Sequence, residues 1–202
     1  MALVDSYEAF IFDYGGVLVH DQTAADQARL AAIARIPEEV FSGLYWSKRP
    51  DYDKGLLSGA EYWQSIARDS GTRLTQSAIE DLTELDNVSW MRFDGAMWDW
   101  VDELRNAGKR IALLSNMPRD LGEALRTRTE RLNSFDQVTL SYEVGSVKPE
   151  PAIYEHCLEG LGTPAGQSLF LDDRIANVHG AELLGIPAIQ FTSREEALQR
   201  LA

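Results

Sequence analysis

The chain is predicted to be an α/β protein: a doubly wound parallel sheet with an inserted small α-helical unit. Three observations predict this. Five short apolar runs recur along the chain, helical periodicities separate them, and the stretch 20–89 carries helical patterns without a convincing strand. The 202 residues suffice for one sizeable core plus a modest second unit.

The first run, Ala9 to Phe12, is brief, unbroken and apolar on both alternating faces, the pattern of a strand covered on both sides. The helical stretch follows. Thr23 to Ile36 is rich in Ala and spaced for a helix, and Pro37 suits the start of a second. Ser58 and Glu61 form a capping-box pattern ahead of Tyr62, Trp63 and Ile66, and a further helix is expected from Thr75 to Leu85. After this stretch the strand–helix alternation resumes. Asp94 is placed to cap a helix through Met97, Trp98, Val101 and Leu104, with Gly108 just beyond its end. Further strands are predicted at Ile111 to Leu114, Val138 to Leu140, Leu169 to Leu171 and Ala188 to Phe191. Helices are predicted from Pro151 to Gly162 and through Ile175, Val178 and Leu184 to Gly185. Right-handed crossovers would make the sheet parallel. The expected division is 1–19 with 90–202 as the α/β core, and 20–89 as the helical unit.

Composition excludes several functions. A formal charge of −13, without a Lys/Arg block, opposes nucleic acid as a partner. Cys157 is the single cysteine, which rules out an intrachain disulfide, and its place on the apolar side of a helix makes it a packed small hydrophobe. No segment reaches membrane-spanning length and no leader pattern opens the chain, so the cytosol is the expected location.

In an open parallel sheet, ligands bind beyond the carboxyl ends of the strands. There this chain places Asp13-Tyr14-Gly15-Gly16 after the first strand and Ser115-Asn116 after the second. Lys148-Pro149 follows the third, and Asp172-Asp173 the fourth. Alone, each has a bland explanation: a turn, a helix cap, a solvated loop, a capping carboxylate pair. All four, in order and each after its own strand, make coincidence the minor explanation.

This set resembles the four motifs of the haloacid dehalogenase superfamily, over a span from Asp13 to Asn177. The resemblance implies a Rossmann-like core with a helical cap and a Mg²⁺-dependent phosphatase acting on a small phosphorylated metabolite. The branch most similar is that of sugar-1-phosphate phosphatases. It also implies roles: Asp13 as nucleophile and metal ligand, forming an aspartyl-phosphate; Asp173, with Asp172 and Asn177, in the metal shell; and the Gly15 carbonyl on the metal. Ser115 and Asn116, with the backbone about Tyr14, would bind phosphoryl oxygens, and Lys148 would neutralise them while restraining Asp13. The chain departs from the family pattern at Gly15, where most of its phosphatases carry an acid–base Asp, a group worth about 10² to 10⁴ in rate. His20, Asp21 or a cap residue are the candidate replacements. Two alternatives stay open on the same fold: a 2-haloacid dehalogenase-like hydrolase, and a catalytically silent phosphate-binding or regulatory protein.

The segment Leu44 to Tyr52 mixes aromatics with Lys48 and Arg49. It reads as packing plus a solvated turn between two helices, and Trp46 with Lys48 or Arg49 as leaving-group contacts is the sharper hypothesis. Arg119 and Arg174 flank motif residues, as phosphate contacts or, the commoner case, as surface charges, and His156 and His179 lack metal-ligand spacing. Both a monomer and a homodimer are compatible with the sequence.

Overall fold

In the computed structural model, which describes residues 3–202, five strands form one parallel sheet. They are β1 (Ala9–Phe12), β2 (Arg110–Ser115), β3 (Gln137–Leu140), β4 (Ser168–Asp172) and β5 (Ala188–Gln190), in the order β3-β2-β1-β4-β5. The chain builds outward from β1 to one side, then returns to pair β4 on the other, so the strand order reverses beside β1. That reversal opens a crevice at the carboxyl ends of β1 and β4, the position that suits a ligand. Register aligns the ends: Phe12 lies opposite both Leu113 and Leu171.

Between β1 and β2 come α1 (Ala24–Ala34), α2 (Glu38–Asp53), α3 (Gly59–Ser70) and α4 (Gln76–Ser89). Their starts follow the local chemistry. Thr23 and Ser58 close reciprocal capping boxes with Asp26 and Glu61, and Thr75 accepts the Ala78 amide. Phe41, Tyr45, Tyr62, Trp63, Ile66 and Leu82 are the centre of an apolar cluster belonging to these four helices and the loops that join them.

The remaining helices are α5 (Gly95–Asn106), α6 (Arg119–Arg128), the single turn α7 (Ser141–Val144), α8 (Pro151–Leu161), α9 (Ile175–Glu182) and α10 (Arg194–Leu201). They cover both faces of the sheet, as the unalternating strands require. Phe10 and Phe12 of β1 pack with Trp100, Leu104 and Leu125 on one face. Ala9 and Ile11 pack with Ile153, Cys157 and Ala181 on the other, so Cys157 is a core residue, its thiol pushed up to about 12 by burial.

One expectation needs correction, and two helices are present that the sequence pattern does not announce. Leu44 to Tyr52 is not a turn between helices, since α2 runs unbroken through it and through Pro50. Proline inside a helix costs on the order of 3 kcal/mol. Here Tyr45, Arg49 and Tyr52, all buried on one face, hold the helix against that cost. The apolar pattern also announces neither α6 nor α10. α6 offers only Leu121, Ala124 and Leu125 among charges, with Gly122 inside it, and α10 buries only Ala197 and Leu201.

Among the described residues no helix is long and apolar enough to cross a membrane.

Candidate active site

Asp13 immediately follows β1, and its backbone continues the ladder through an amide bond to the Leu171 carbonyl. Its side chain is fixed through one oxygen. Oδ1 accepts the Tyr14 amide at 2.6 Å and is paired with Lys148 Nζ at 2.7 Å. Oδ2 accepts no hydrogen bond from the described residues. The Tyr14 side chain points elsewhere, into the core, where its hydroxyl donates to the Trp90 carbonyl at 2.8 Å.

Lys148 is almost fully enclosed. Its ammonium meets three acceptors, Asp13 Oδ1, Asp172 Oδ2 at 2.6 Å and the Leu114 carbonyl at 2.9 Å, so its three protons all have partners inside the protein. The loop carrying it is clamped by Asn116, whose side chain accepts the Lys148 amide at 2.7 Å and donates to the Lys148 carbonyl at 3.0 Å. Asn116 therefore positions Lys148 with its side chain, leaving only its main chain for a ligand.

Asp172 ends β4 with no solvent exposure, and both of its oxygens are engaged, by Lys148, the Arg174 amide and the Asn177 side chain. Asp173, half-buried, faces the cavity. Gly16 allows it to come close: with φ +71° and a Cβ that would stand 3.1 Å from Asp173 Cγ, no other residue fits there without strain. The three carboxylates converge, with one oxygen from each of Asp13, Asp172 and Asp173 lying within 4.8 Å of the others.

Three carboxylates against one ammonium leave an excess of negative charge in a buried place. Burial raises Asp13 well above the usual carboxylate range; Lys148 opposes this, and Asp172 and Asp173 add to it. Burial and Asp172 likewise raise Asp173. For Lys148, burial works against the charge, but Asp13 and Asp172 prevail and its pKa rises. A hard divalent cation among these oxygens would cancel the excess, so the donor set fits such an ion in both charge and chemistry.

A cavity of about 200 Å³ opens above this edge. Asp13, Gly15, Ser115, Lys148, Asp173 and Asn177 line its floor. The Ser115 hydroxyl has no hydrogen-bond partner among the described residues, although the residue is 2% exposed. The roof comes from α2 and the end of α4: Trp46, Arg49, Pro50, Asp53 and Trp90, with Arg174 at the mouth over the Trp46 ring, 5.5 Å from its centroid. Arg49 is buried between Asp53 (2.7 Å) and Asp86 (3.0 Å).

Thus Asp13, Tyr14, Gly15, Ser115, Asn116, Lys148, Asp173 and Asn177 share one cavity wall, with Asp172 directly behind it. Lys48 does not join them, since it pairs with Asp69 at 2.8 Å on the outer face of α2. Arg119 is exposed beside Tyr142, and His20, His156 and His179 are exposed. Trp90, Asp53, Met117 and Leu121 reach the cavity without any spacing signal in the sequence.

A family model described as haloacid dehalogenase-like hydrolase matches residues 7–185. The chain belongs to this family. Among curated proteins, this hydrolase is 25% identical to the sesquiterpene phosphatase astK of Aspergillus oryzae over 93% of its own length and 91% of the relative's. It is 26% identical to a D-ribitol-5-phosphate phosphatase of Bacteroides thetaiotaomicron, covering 89% of each chain. Its fold matches that of a HAD family enzyme of Bacteroides thetaiotaomicron solved with magnesium and inorganic phosphate. There the TM-score is 0.75 at 23% identity, over 93% of this chain and 96% of that one.

Proposed function

We propose that this hydrolase is a Mg²⁺-dependent phosphatase that cleaves small phosphomonoesters through an aspartyl-phosphate on Asp13, with 1–19 and 90–202 as its core and 20–89 as the cap. One observation carries the reading. A carboxylate pinned through Oδ1, with Oδ2 free, opens into the same cavity as the unpaired Ser115 hydroxyl and a cluster of acidic oxygens.

In this reading Oδ2 of Asp13 attacks phosphorus, since Lys148 and the Tyr14 amide hold the other oxygen and so aim the group. The Ser115 hydroxyl and the Asn116 backbone amide donate to the phosphoryl oxygens, and the Lys148 charge stabilises them through the field. Magnesium, held by Asp13, Asp173 and the Gly15 carbonyl, would offset the repulsion between nucleophile and phosphate. Asn177 lines the same floor, and Asp172 stands behind these ligands. The Asp172 oxygens already hold Lys148 and Asn177, so Asp172 supports the metal shell from outside it. Cap closure over the cavity excludes water while the ester reacts.

The named phosphatase relatives support phosphate ester chemistry. Against a dehalogenase stands Asp173, a third acid without a cation partner, which a metal-free reaction has no need to retain. A roof of two indoles beside carboxylates suits a sugar or polyol, whose C–H faces stack on rings while hydroxyls bond to the acids. The test is phosphate release from sugar phosphates, polyol phosphates, prenyl phosphates and an aryl phosphate, with Mg²⁺ and with chelator. Release that needs the metal and is lost in Asp13→Asn supports the reading. Release that survives either removal refutes it.

A further inference from the structure

Cleaving an alkyl phosphate expels an alkoxide unless a proton reaches the departing oxygen as the P–O bond breaks. Position 15 offers no such group, and the fold crowds the place where one would sit: a Cβ on Gly15 would stand 3.3 Å from the Trp90 ring, a tight contact. Trp90 cannot easily withdraw, because its Nε1–H donates to the Tyr45 hydroxyl at 3.2 Å and its carbonyl accepts the Tyr14 hydroxyl.

Besides Asp13 and Asp173, two carboxyl groups line the cavity, Asp21 and Asp53. Asp21 is exposed and sits beside Asp173, on the side of the acidic cluster. Asp53 is the last residue of α2, is 8% exposed, and hangs from the roof. Its Oδ1 accepts Arg49 Nε–H at 2.7 Å, and its Oδ2 accepts no hydrogen bond from the described residues.

Three consecutive residues fasten this helix end to the core. The Tyr52 hydroxyl donates to Asp120 at 2.8 Å, the Asp53 carbonyl accepts the Ser141 hydroxyl, and Lys54 Nζ binds Glu150 at 2.8 Å. Two of these anchors lead straight to the reacting edge. Ser141 Oγ accepts the Met117 amide at 2.9 Å, two residues past Ser115, and Glu150 lies two residues past Lys148. The latch holds the end of α2, and with it Asp53, at the cavity roof.

We propose that Asp53 is the general acid–base of the reaction, delivered from the cap. This rests on the phosphatase reading above. In the first step a bond forms between Asp13 Oδ2 and phosphorus, the bond to the leaving oxygen breaks, and that oxygen takes the Asp53 proton, giving alcohol, aspartyl-phosphate and Asp53 carboxylate. In the second, water attacks phosphorus and gives its proton to Asp53. The Asp13–phosphate bond breaks with its electrons returning to the carboxylate, so phosphate leaves and both acids recover their starting forms. The groups facing Asp53 are Arg49 on its own helix, Asp86 on α4 and Arg174 ahead of α9. Burial raises its pKa, Arg49 opposes this, and the net shift is upward, the direction a proton donor needs.

The experiment compares Asp53→Asn with wild type in the Mg²⁺-loaded full chain, by single turnover. The substrates are an alkyl phosphate that wild type hydrolyses and p-nitrophenyl phosphate, whose leaving group needs no proton. The expected result is a loss of about 10² to 10⁴ with the alkyl ester and less than about threefold in the p-nitrophenol burst. The burst is then followed by slow turnover, because water attack also lacks its base. A merely structural partner of Arg49 would slow both esters alike, and that result overturns the proposal. So does an alkyl rate within about threefold of wild type, or the selective loss appearing in Asp21→Asn instead. If Asp53→Asn does not fold, the wild-type phosphorylation rate across substituted phenyl phosphates decides: a shallow dependence on phenol acidity supports a proton donor, a steep one excludes it. Absence of any phosphate release from wild type, or release retained by Asp13→Asn, removes the phosphatase reading itself.

Discussion

Lys148→Met is expected to destabilise the protein far more than loss of an exposed lysine, because Lys148 is the single ammonium among three converging carboxylates. Its side chain is 1% exposed, and its partners on Asp13 and Asp172 are 10% and 0% exposed, so water cannot replace it. Removing one partner of a buried ion pair costs about 3–5 kcal/mol, since the remaining charge stays buried and unpaired. Exposed pairs lose about 0–1 kcal/mol. Lys48, paired with Asp69 at roughly one-third exposure on both sides, provides that comparison within the same chain. At about 2–4 °C per kcal/mol for a chain of this size, Lys148→Met should lower the melting temperature by about 6–20 °C and Lys48→Met by at most about 4 °C. Thermal unfolding without divalent metal, followed by circular dichroism, measures both. Adding Asp172→Asn to Lys148→Met should return some of the loss, because it removes one of the two stranded charges. If the two single variants melt within about 2–3 °C of each other, the buried charge balance around Lys148 is refuted.

Gly16→Ala places a methyl against Asp173 at a positive φ, and should cost about 1–2 kcal/mol in stability while shifting the Mg²⁺ dependence of activity to higher concentration. An unchanged Mg²⁺ midpoint would refute the close approach. Asp26 carries a pH dependence: burial works against its charge, but hydrogen bonds from Thr23 and Arg92 prevail and bring it down to about 2. Its folded pKa lies below its unfolded one, so its contribution is complete above about pH 4 and fades as pH falls toward 2. Between pH 5 and 3 the urea midpoint of wild type should therefore fall further than that of Asp26→Asn, and equal slopes would contradict it. Ser58→Ala removes the cap of α3 and should cost about 1 kcal/mol by denaturant unfolding, whereas Ser47→Ala, on an exposed turn of α2, should cost less than half of that.

The five strands were legible because each is a local pattern: Ala9–Phe12 can only be covered on both faces, and a parallel sheet then follows from the intervening helices. Caps were equally local, since Thr23, Ser58, Thr75 and Asp94 each need only their own first turn. The positions of Asp13, Ser115, Lys148 and Asp173 at one edge followed from topology, because parallel strands all end on the same side. By contrast, α2 continues through Pro50 because Tyr45, Arg49 and Tyr52 pack against residues far away in sequence, and no local signal reports such support. α6 and α10 escaped for a related reason: each buries a narrow stripe set by the sheet face it meets.

By itself, then, the sequence determined which side chains arrive at the carboxyl edge, because strand period and chain order are encoded over a few residues. Only the tertiary structure decided what they do to one another. It used all three Lys148 protons, turned the Asn116 side chain to the Lys148 loop, filled the space above Gly15 with Trp90, and latched Asp53 to Ser141. These are contacts between segments separated by 24 to 135 positions, from Lys148–Asp172 to Lys148–Asp13. Their energies depend on burial and mutual approach, quantities that exist only after the chain has folded.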